Sequence, residues 1–270
     1  MQTSPLFDRS TLRARHDRAA RRGDPDCLFL LREAAADLAD RVRDVKGGFP
    51  LAVDLGARGP TLAAALADEP RIGTLVSLAP SAAVAALCPA PVLVADEERL
   101  PLADASADLV LSCLALHWVE DLPGALAEVL RILKPGGVFL AVLPGEETLR
   151  ELRDSMARAE LEVEGGVSPR VAPMLTIKDG GALLQRAGFA EPVADRDRIS
   201  VDYADPLKLI ADLRAMGESN ALHQRRRAPM RRDTLAAALR AYRDNWSLED
   251  GRVAATFDFV TLTAWKPLDR

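Results

Sequence analysis

Short apolar runs alternate with helical stretches through the middle of this chain. The apolar runs lie at residues 49–55, 74–78, 92–95, 108–113 and 138–143, and helical patterns at 61–67, 81–87 and 122–133 separate them. Strands that alternate with helices form a parallel sheet covered on both faces, and such sheets bind ligands at the carboxyl ends of their strands. The sequence therefore predicts an α/β fold with its site at that edge.

Other segments predict the elements around this core. Apolar residues recur at steps of three and four over 26–45, which is typical of an amphipathic helix. The Lys-Pro-Gly-Gly sequence at 134–137 predicts a tight turn into the following strand. Further strands are predicted near 197–201 and at 256–265.

The chain is interpreted as one domain, 1–270, because 270 residues can bury one full core. We divide it into an N-terminal helical cap at 1–46 and a cofactor-binding core at 47–145. Residues 146–270 then supply substrate-side helices and the last strands.

Charge and composition argue against several classes of protein. Lysine and arginine total 35 against 40 acidic residues, a net charge of −5, which disfavours a nucleic-acid binder. No apolar run approaches the roughly 18 residues that a membrane-spanning helix needs. Acidic residues interrupt the arginine-rich start, so we expect a cytoplasmic protein without a targeting segment. Three cysteines without CxxC spacing and three scattered histidines predict no metal site.

The first strand is followed by a glycine-containing loop, Asp54-Leu-Gly-Ala-Arg-Gly-Pro60. Glycines after a first strand let the backbone approach a nucleotide at a helix start. The same seven residues also suit an ordinary turn between a strand and a helix. The loop by itself leaves both interpretations open.

Three later segments, 94–102, 108–118 and 130–137, follow in the order and spacing of class I S-adenosylmethionine methyltransferases. The chain resembles that class, which implies a Rossmann-like fold with a mostly parallel seven-stranded sheet and an antiparallel last strand. It also implies that Asp96 accepts a hydrogen bond from the adenine amine and that His117 and Trp118 face the substrate. The resemblance assigns S-adenosylmethionine binding to Asp54, Gly56, Ala57, Arg58, Gly59, Ser77, Asp96, Glu97 and Leu114.

The resemblance narrows to the complex I assembly factor 5 family of arginine hydroxylases. It rests on segments 116–123, 145–153, 160–173 and 216–220, of which the Met-Gly-Glu-Ser-Asn stretch is the most specific. It implies modification of an arginine in a complex I subunit, by a protein that is cytoplasmic or peripheral to the inner membrane. Two alternatives remain: a methyltransferase for a small or carrier-bound acid, similar to malonyl carrier-protein O-methyltransferases, and a non-catalytic assembly scaffold.

The cofactor motifs depart from the usual pattern. Arg58 and Pro60 occupy the second and third positions of the usual Gly-x-Gly-x-Gly, unless a one-residue deletion makes Gly59 the third glycine. Ser77 stands where an acid normally holds the ribose hydroxyls. We therefore expect weak S-adenosylmethionine binding. Arg58 is either a surface residue or a partner of the methionyl carboxylate.

The substrate side offers four carboxylates, Glu160, Glu162, Glu164 and Glu218, that suit a guanidinium, because its planar fork pairs with carboxylates. Glu218 is the preferred one and, with His117 and Trp118, forms the predicted catalytic group. The alternative is that Glu218 is simply solvated at a helix end. His117 is either a substrate-facing or a packed histidine, whereas His16 and His223 are expected at the surface.

Overall fold

The structure is a computed structural model that describes residues 5–268. Two helices precede the first strand, α1 (Arg9–Arg22) and α2 (Phe29–Asp44). The further elements are β1 (Phe49–Leu55), α3 (Thr61–Ala65), β2 (Ile72–Ala79), α4 (Ala82–Ala85), β3 (Val92–Val94), β4 (Ala107–Cys113), α5 (Leu122–Ile132), β5 (Leu133–Pro144), α6 (Arg150–Glu164), α7 (Ile177–Ala187), β6 (Ala190–Tyr203), α8 (Pro206–Ala215), α9 (Arg232–Trp246) and β7 (Val253–Trp265).

The strands form one seven-stranded sheet in the order β3-β2-β1-β4-β5-β7-β6. The first five strands pair in parallel, whereas β7 runs antiparallel to both β5 and β6. The predicted mostly parallel sheet with an antiparallel last strand is confirmed. The strand order reverses between β1 and β4, and the crevice at such a switch point is the usual ligand site of open α/β sheets.

Apolar side chains pack on both faces of this sheet. On one face, α2 buries Leu31, Leu38 and Val42 against β4 and β5. On the other, α5 buries Leu126 and Val129. The strands between these faces are continuous apolar runs because helices exclude water from both of their sides. The amphipathic helix predicted over 26–45 is confirmed, although a separate 3-10 turn at Asp26–Leu28 precedes α2.

Two element boundaries differ from the sequence prediction. Residues 134–137, expected as a tight turn, lie inside β5, and the ladder with β4 shifts register beside them. The two glycines thus accommodate an irregularity within the strand. Strand β6 is much longer than the predicted 197–201 because it is an edge strand, and its exposed charged residues hide the apolar alternation.

Candidate functional site

The loop after β1 packs tightly against the loop after β4. Gly56 has φ +74°, and a Cβ added there would lie 2.4 Å from the Cβ of Ala115. Gly59 also has a positive φ of +107°, and the Ala57 N–H donates to the Leu78 carbonyl at 2.9 Å. Both glycines are therefore used for the backbone conformations that this loop needs.

Asp54 and Ser77 are neighbours across β1 and β2, and neither lines the cavities beside this loop. Burial raises the pKa of Asp54 to about 7. Ser77 is fully buried, and β2 continues for two more residues beyond it. The Ser77 Oγ is buried and has no hydrogen-bond partner among residues 5–268, and its place at the ribose stays a prediction. Pro80, just after β2, reaches the small cavity instead.

The acidic turn after β3 is occupied by an arginine from the N-terminal helix. Arg9 Nη2 lies 2.9 Å from Asp96 Oδ1 and 2.9 Å from Glu97 Oε2, and its Nη1 lies 3.2 Å from Glu98 Oε1. The carboxylate of Asp96, the predicted adenine acceptor, is thus already paired. Arg9 was not among the predicted site residues, because no sequence pattern around residue 9 indicates ion pairs with carboxylates that lie so far along the chain.

Glu218 is the centre of a polar cluster at the switch point. Its Oε1 accepts from Arg58 Nη2 at 2.6 Å, and its Oε2 accepts from Trp118 Nε1 at 2.8 Å and lies 3.2 Å from His117 Nε2. Arg58 also donates to the Met216 carbonyl at 3.0 Å. The loop after β1, the turn after β4 and the segment after α8 therefore meet at one carboxylate.

The charge of Glu218 is stabilised by these partners. Burial tends to raise the pKa of this carboxyl, but the Arg58 cation and the His117 hydrogen bond outweigh it and hold the pKa well below 4.5. The Glu218 side chain is 23% exposed and that of Arg58 is 13% exposed. The solvated interpretation of Glu218 and the surface interpretation of Arg58 are both wrong.

His16 is a member of this cluster that the sequence prediction placed at the surface. Helix α1 buries it with its Nε2 3.9 Å from Glu218 Oε1. Burial, with the nearby Arg58 cation, lowers the pKa of His16 to about 3, so the ring is neutral at ordinary pH. Its position four residues after the buried Leu12 was the available sequence signal, because residues at that spacing share one helix face.

A cavity of about 550 Å³ opens beside the cluster. Glu218, His117 and Trp118 line it together with Leu114, which leaves β4 with an uncommon positive φ of +50°. Most of the remaining lining is apolar, and it comes from α1, α2, α6 and α8, from the loop between α6 and α7 and from the segment after α8. A mostly apolar cavity with a few convergent polar groups is typical of a binding site for a small group or a side chain.

The four predicted carboxylates do not gather around this cavity. Glu160 lines it but is buried and paired with Arg170. Glu162 lies outside and pairs with Arg240 at 2.9 Å, whereas Glu164 pairs with Arg226. A shared pocket of four carboxylates is therefore wrong. Glu162 and Glu164 lie on α6 turned towards α9 and the loop before it, so helix rotation separates them from Glu218.

Comparison with known proteins places this arrangement in a family. A family model described as a methyltransferase domain matches residues 53–141. The arginine-hydroxylase NDUFAF5 of Danio rerio, named as mitochondrial, is 40% identical over 269 residues, which cover 98% of this chain and 84% of that protein. This chain belongs to the NDUFAF5 arginine-hydroxylase family. A malonyl-[acyl-carrier protein] O-methyltransferase of Halorhodospira halophila is also similar, with 36% identity over 96% of this chain and 88% of that protein.

Solved structures support the fold of this family member. The YcgJ protein of Bacillus subtilis superposes with a TM-score of 0.59 at 15% identity, and the match covers 87% of this chain and 99% of that one. Together with the methyltransferase-domain match, this likeness confirms the predicted Rossmann-like class I methyltransferase fold. Within residues 5–268, no helix is both long and apolar enough to span a membrane.

Proposed function

We propose that this chain acts in complex I assembly by binding S-adenosylmethionine and modifying an arginine of a complex I subunit. The observation that carries the substrate side is Glu218, an ionised carboxylate that lines the large cavity and already pairs with one guanidinium, that of Arg58. A carboxylate offers about four acceptor sites, and Glu218 accepts two close hydrogen bonds from Arg58 and Trp118 and lies near His117. A second guanidinium can share it or displace Arg58.

The cofactor side is supported by the residue types at the switch point. Asp96 would accept from the adenine amine, the backbone at Glu97 would meet the ring, and the loop from Gly56 to Gly59 would approach the methionyl part together with Leu114. Bound S-adenosylmethionine supplies an electrophilic methyl group. The donors and acceptors fit this cofactor, whereas the space at the adenine end is taken by Arg9. Ser77 offers a hydroxyl where a carboxylate usually holds the ribose, which is consistent with weak binding.

Within the proposed site, Arg58 and Trp118 orient the Glu218 carboxylate from two sides. His117 Nε2 lies within reach of the same carboxylate, and its buried Nδ1 has no protein partner within residues 5–268. His117 is therefore placed to hold or pass a proton beside a substrate in the cavity. The apolar lining from α2, α6 and α8 would exclude water from that substrate, which strengthens every charge interaction inside.

The likeness to malonyl carrier-protein O-methyltransferases favours a second candidate, methylation of a carboxylic acid. The two functions require substrates of opposite charge in the cavity, and the Glu218 carboxylate attracts a guanidinium but repels a carboxylate.

The scaffold alternative required Arg58 or Pro60 to fill the cofactor pocket. Arg58 pairs with Glu218 and lines both cavities, of which the large one stays open beside it, and this open space favours a retained site. The proposed partner is a complex I subunit, and the proposed compartment is the one in which complex I is assembled.

Mass spectrometry of the substrate tests this function. The protein and S-adenosylmethionine are incubated with an arginine-containing complex I subunit or with a carrier-bound carboxylic acid, with and without air and a reductant. With air and the reductant present, we expect the arginine to gain one oxygen atom from O2, as the relatives' name indicates, while the second oxygen atom leaves as water with two electrons from the reductant. Glu218→Gln is expected to abolish the gain, whereas Glu162→Gln, on the outer surface, keeps it. Gain of a methyl group on a carrier-bound acid instead would support the second candidate, and no modification of either substrate would contradict both.

A further inference from the structure

Arg9 occupies the acidic end of the cofactor crevice. Its guanidinium pairs with three consecutive carboxylates, Asp96, Glu97 and Glu98, and its Nη1 also lies 3.4 Å from the Trp118 carbonyl. Of these residues, the proposed function assigns the Asp96 carboxylate to the adenine amine and the backbone at Glu97 to the adenine ring. We infer that Arg9 is a gate residue of the adenine subsite, and that α1 must move away from it before the adenosyl group enters. This inference rests on the proposed use of S-adenosylmethionine.

The space around Arg9 supports a closed gate. The cavity between Arg9, Gly56, Pro80, Glu97 and Trp118 has a volume of about 20 Å³, which holds about one water molecule. An adenine ring is far larger than one water molecule. The large cavity beside Glu218 leaves room for the methionyl end of a cofactor and for a substrate, so the obstruction is confined to the adenine end.

The segment that carries Arg9 is fastened to the substrate side as well. The Phe7 ring packs edge-on against Trp118, with 5.3 Å between centroids. The Asp8 N–H donates to the Ala221 carbonyl at 2.8 Å, and Arg15 donates to the Ser219 carbonyl at 2.7 Å. Moving α1 therefore also releases the segment that follows Glu218, which couples entry of the adenosyl group to the shape of the substrate cavity.

The gate is weak enough to open. The Arg9 side chain is 26% exposed, and partly exposed ion pairs each change an equilibrium by at most about five-fold. When only a fraction of the protein molecules has the conformation that binds a ligand, the apparent affinity for that ligand is reduced by the same fraction. Removing the gate raises this fraction and therefore strengthens apparent binding. With three such pairs, we expect Arg9→Ala to tighten adenosyl binding roughly ten-fold.

Calorimetric titration with S-adenosylhomocysteine and with adenosine tests the gate. Both probes lack the sulfonium charge, so their affinity does not rise merely because a cation near the site is lost. We expect Arg9→Ala to bind both about ten-fold more tightly than the wild-type protein. Arg21→Ala, which removes an exposed arginine from the last turn of the same helix, is expected to bind like the wild type.

The outcomes separate the gate from the cofactor assignment. Unchanged or weaker binding by Arg9→Ala overturns the gate, because Arg9 then forms a wall of the subsite or lies outside it. Absence of binding by both the wild type and the folded variant overturns the use of S-adenosylmethionine and the gate with it. Thermal unfolding establishes that the variant is folded, and Arg9→Gln, which retains the aliphatic stem, replaces it if Arg9→Ala is not.

Discussion

Glu218→Gln is expected to lower the free energy of unfolding by about 2–3 kcal/mol at neutral pH, because Arg58 loses its carboxylate in a largely buried site. The amide keeps the shape of the side chain but provides only one oxygen, which cannot accept from Arg58 and Trp118 with the same strength. Chemical denaturation of both proteins measures the difference. The same variant is expected to lose binding of the arginine-containing substrate.

The effect of Glu218→Gln depends on pH with a defined sign. Folding lowers the pKa of Glu218 below its usual 4.5, so its contribution to stability is complete above 4.5 and is lost as the pH falls towards the folded-state pKa. The difference between wild type and variant should therefore shrink by about 1 kcal/mol at about pH 3.5.

Glu162→Gln is the matched control for this substitution. It removes the same charge from a pair with Arg240 in which both side chains are more than half exposed. Such pairs contribute little, so we expect no measurable change in stability. Equal losses in the two variants, or a Glu218→Gln difference that does not vary with pH, would contradict the role assigned to the Glu218 cluster.

Gly56→Ala is expected to lower the free energy of unfolding by about 2–4 kcal/mol and to abolish adenosyl binding. The alanine would have to adopt a φ of +74°, and its Cβ would lie 2.4 Å from the Cβ of Ala115. Relief requires the loop after β1 and the loop after β4 to separate, which displaces both sides of the crevice. Denaturation and titration with S-adenosylhomocysteine measure the two effects.

Gly165→Ala is the control that separates the effect of the steric clash from the free-energy cost of a positive φ in alanine. Gly165 has a similar φ of +71°, but no atom of residues 5–268 lies within 4 Å of an added Cβ. We expect a loss of about 1 kcal/mol and unchanged adenosyl binding. If the two alanine variants behave alike, the close approach of Gly56 to Ala115 does not shape the crevice.

The sequence by itself determined the sheet and the position of the crevice. Strands such as β1 and β4 are buried on both faces, and burial on both faces requires the continuous apolar runs that can be recognised at 49–55 and 108–113. The glycine-containing loop after β1 was equally visible, and the structure shows that Gly56 has there a positive φ that few other residues adopt. The edge strand β6 was visible only in part, since exposure permits charged residues at most of its positions.

Only the tertiary structure decided which side chains meet in the crevice. Arg9 and His16 belong to a polar helix whose inner face is set by how α1 packs over the crevice, and they meet partners that lie far along the chain. Local sequence patterns encode burial and backbone conformation, whereas pairing between distant charges depends on the rotation and docking of whole elements.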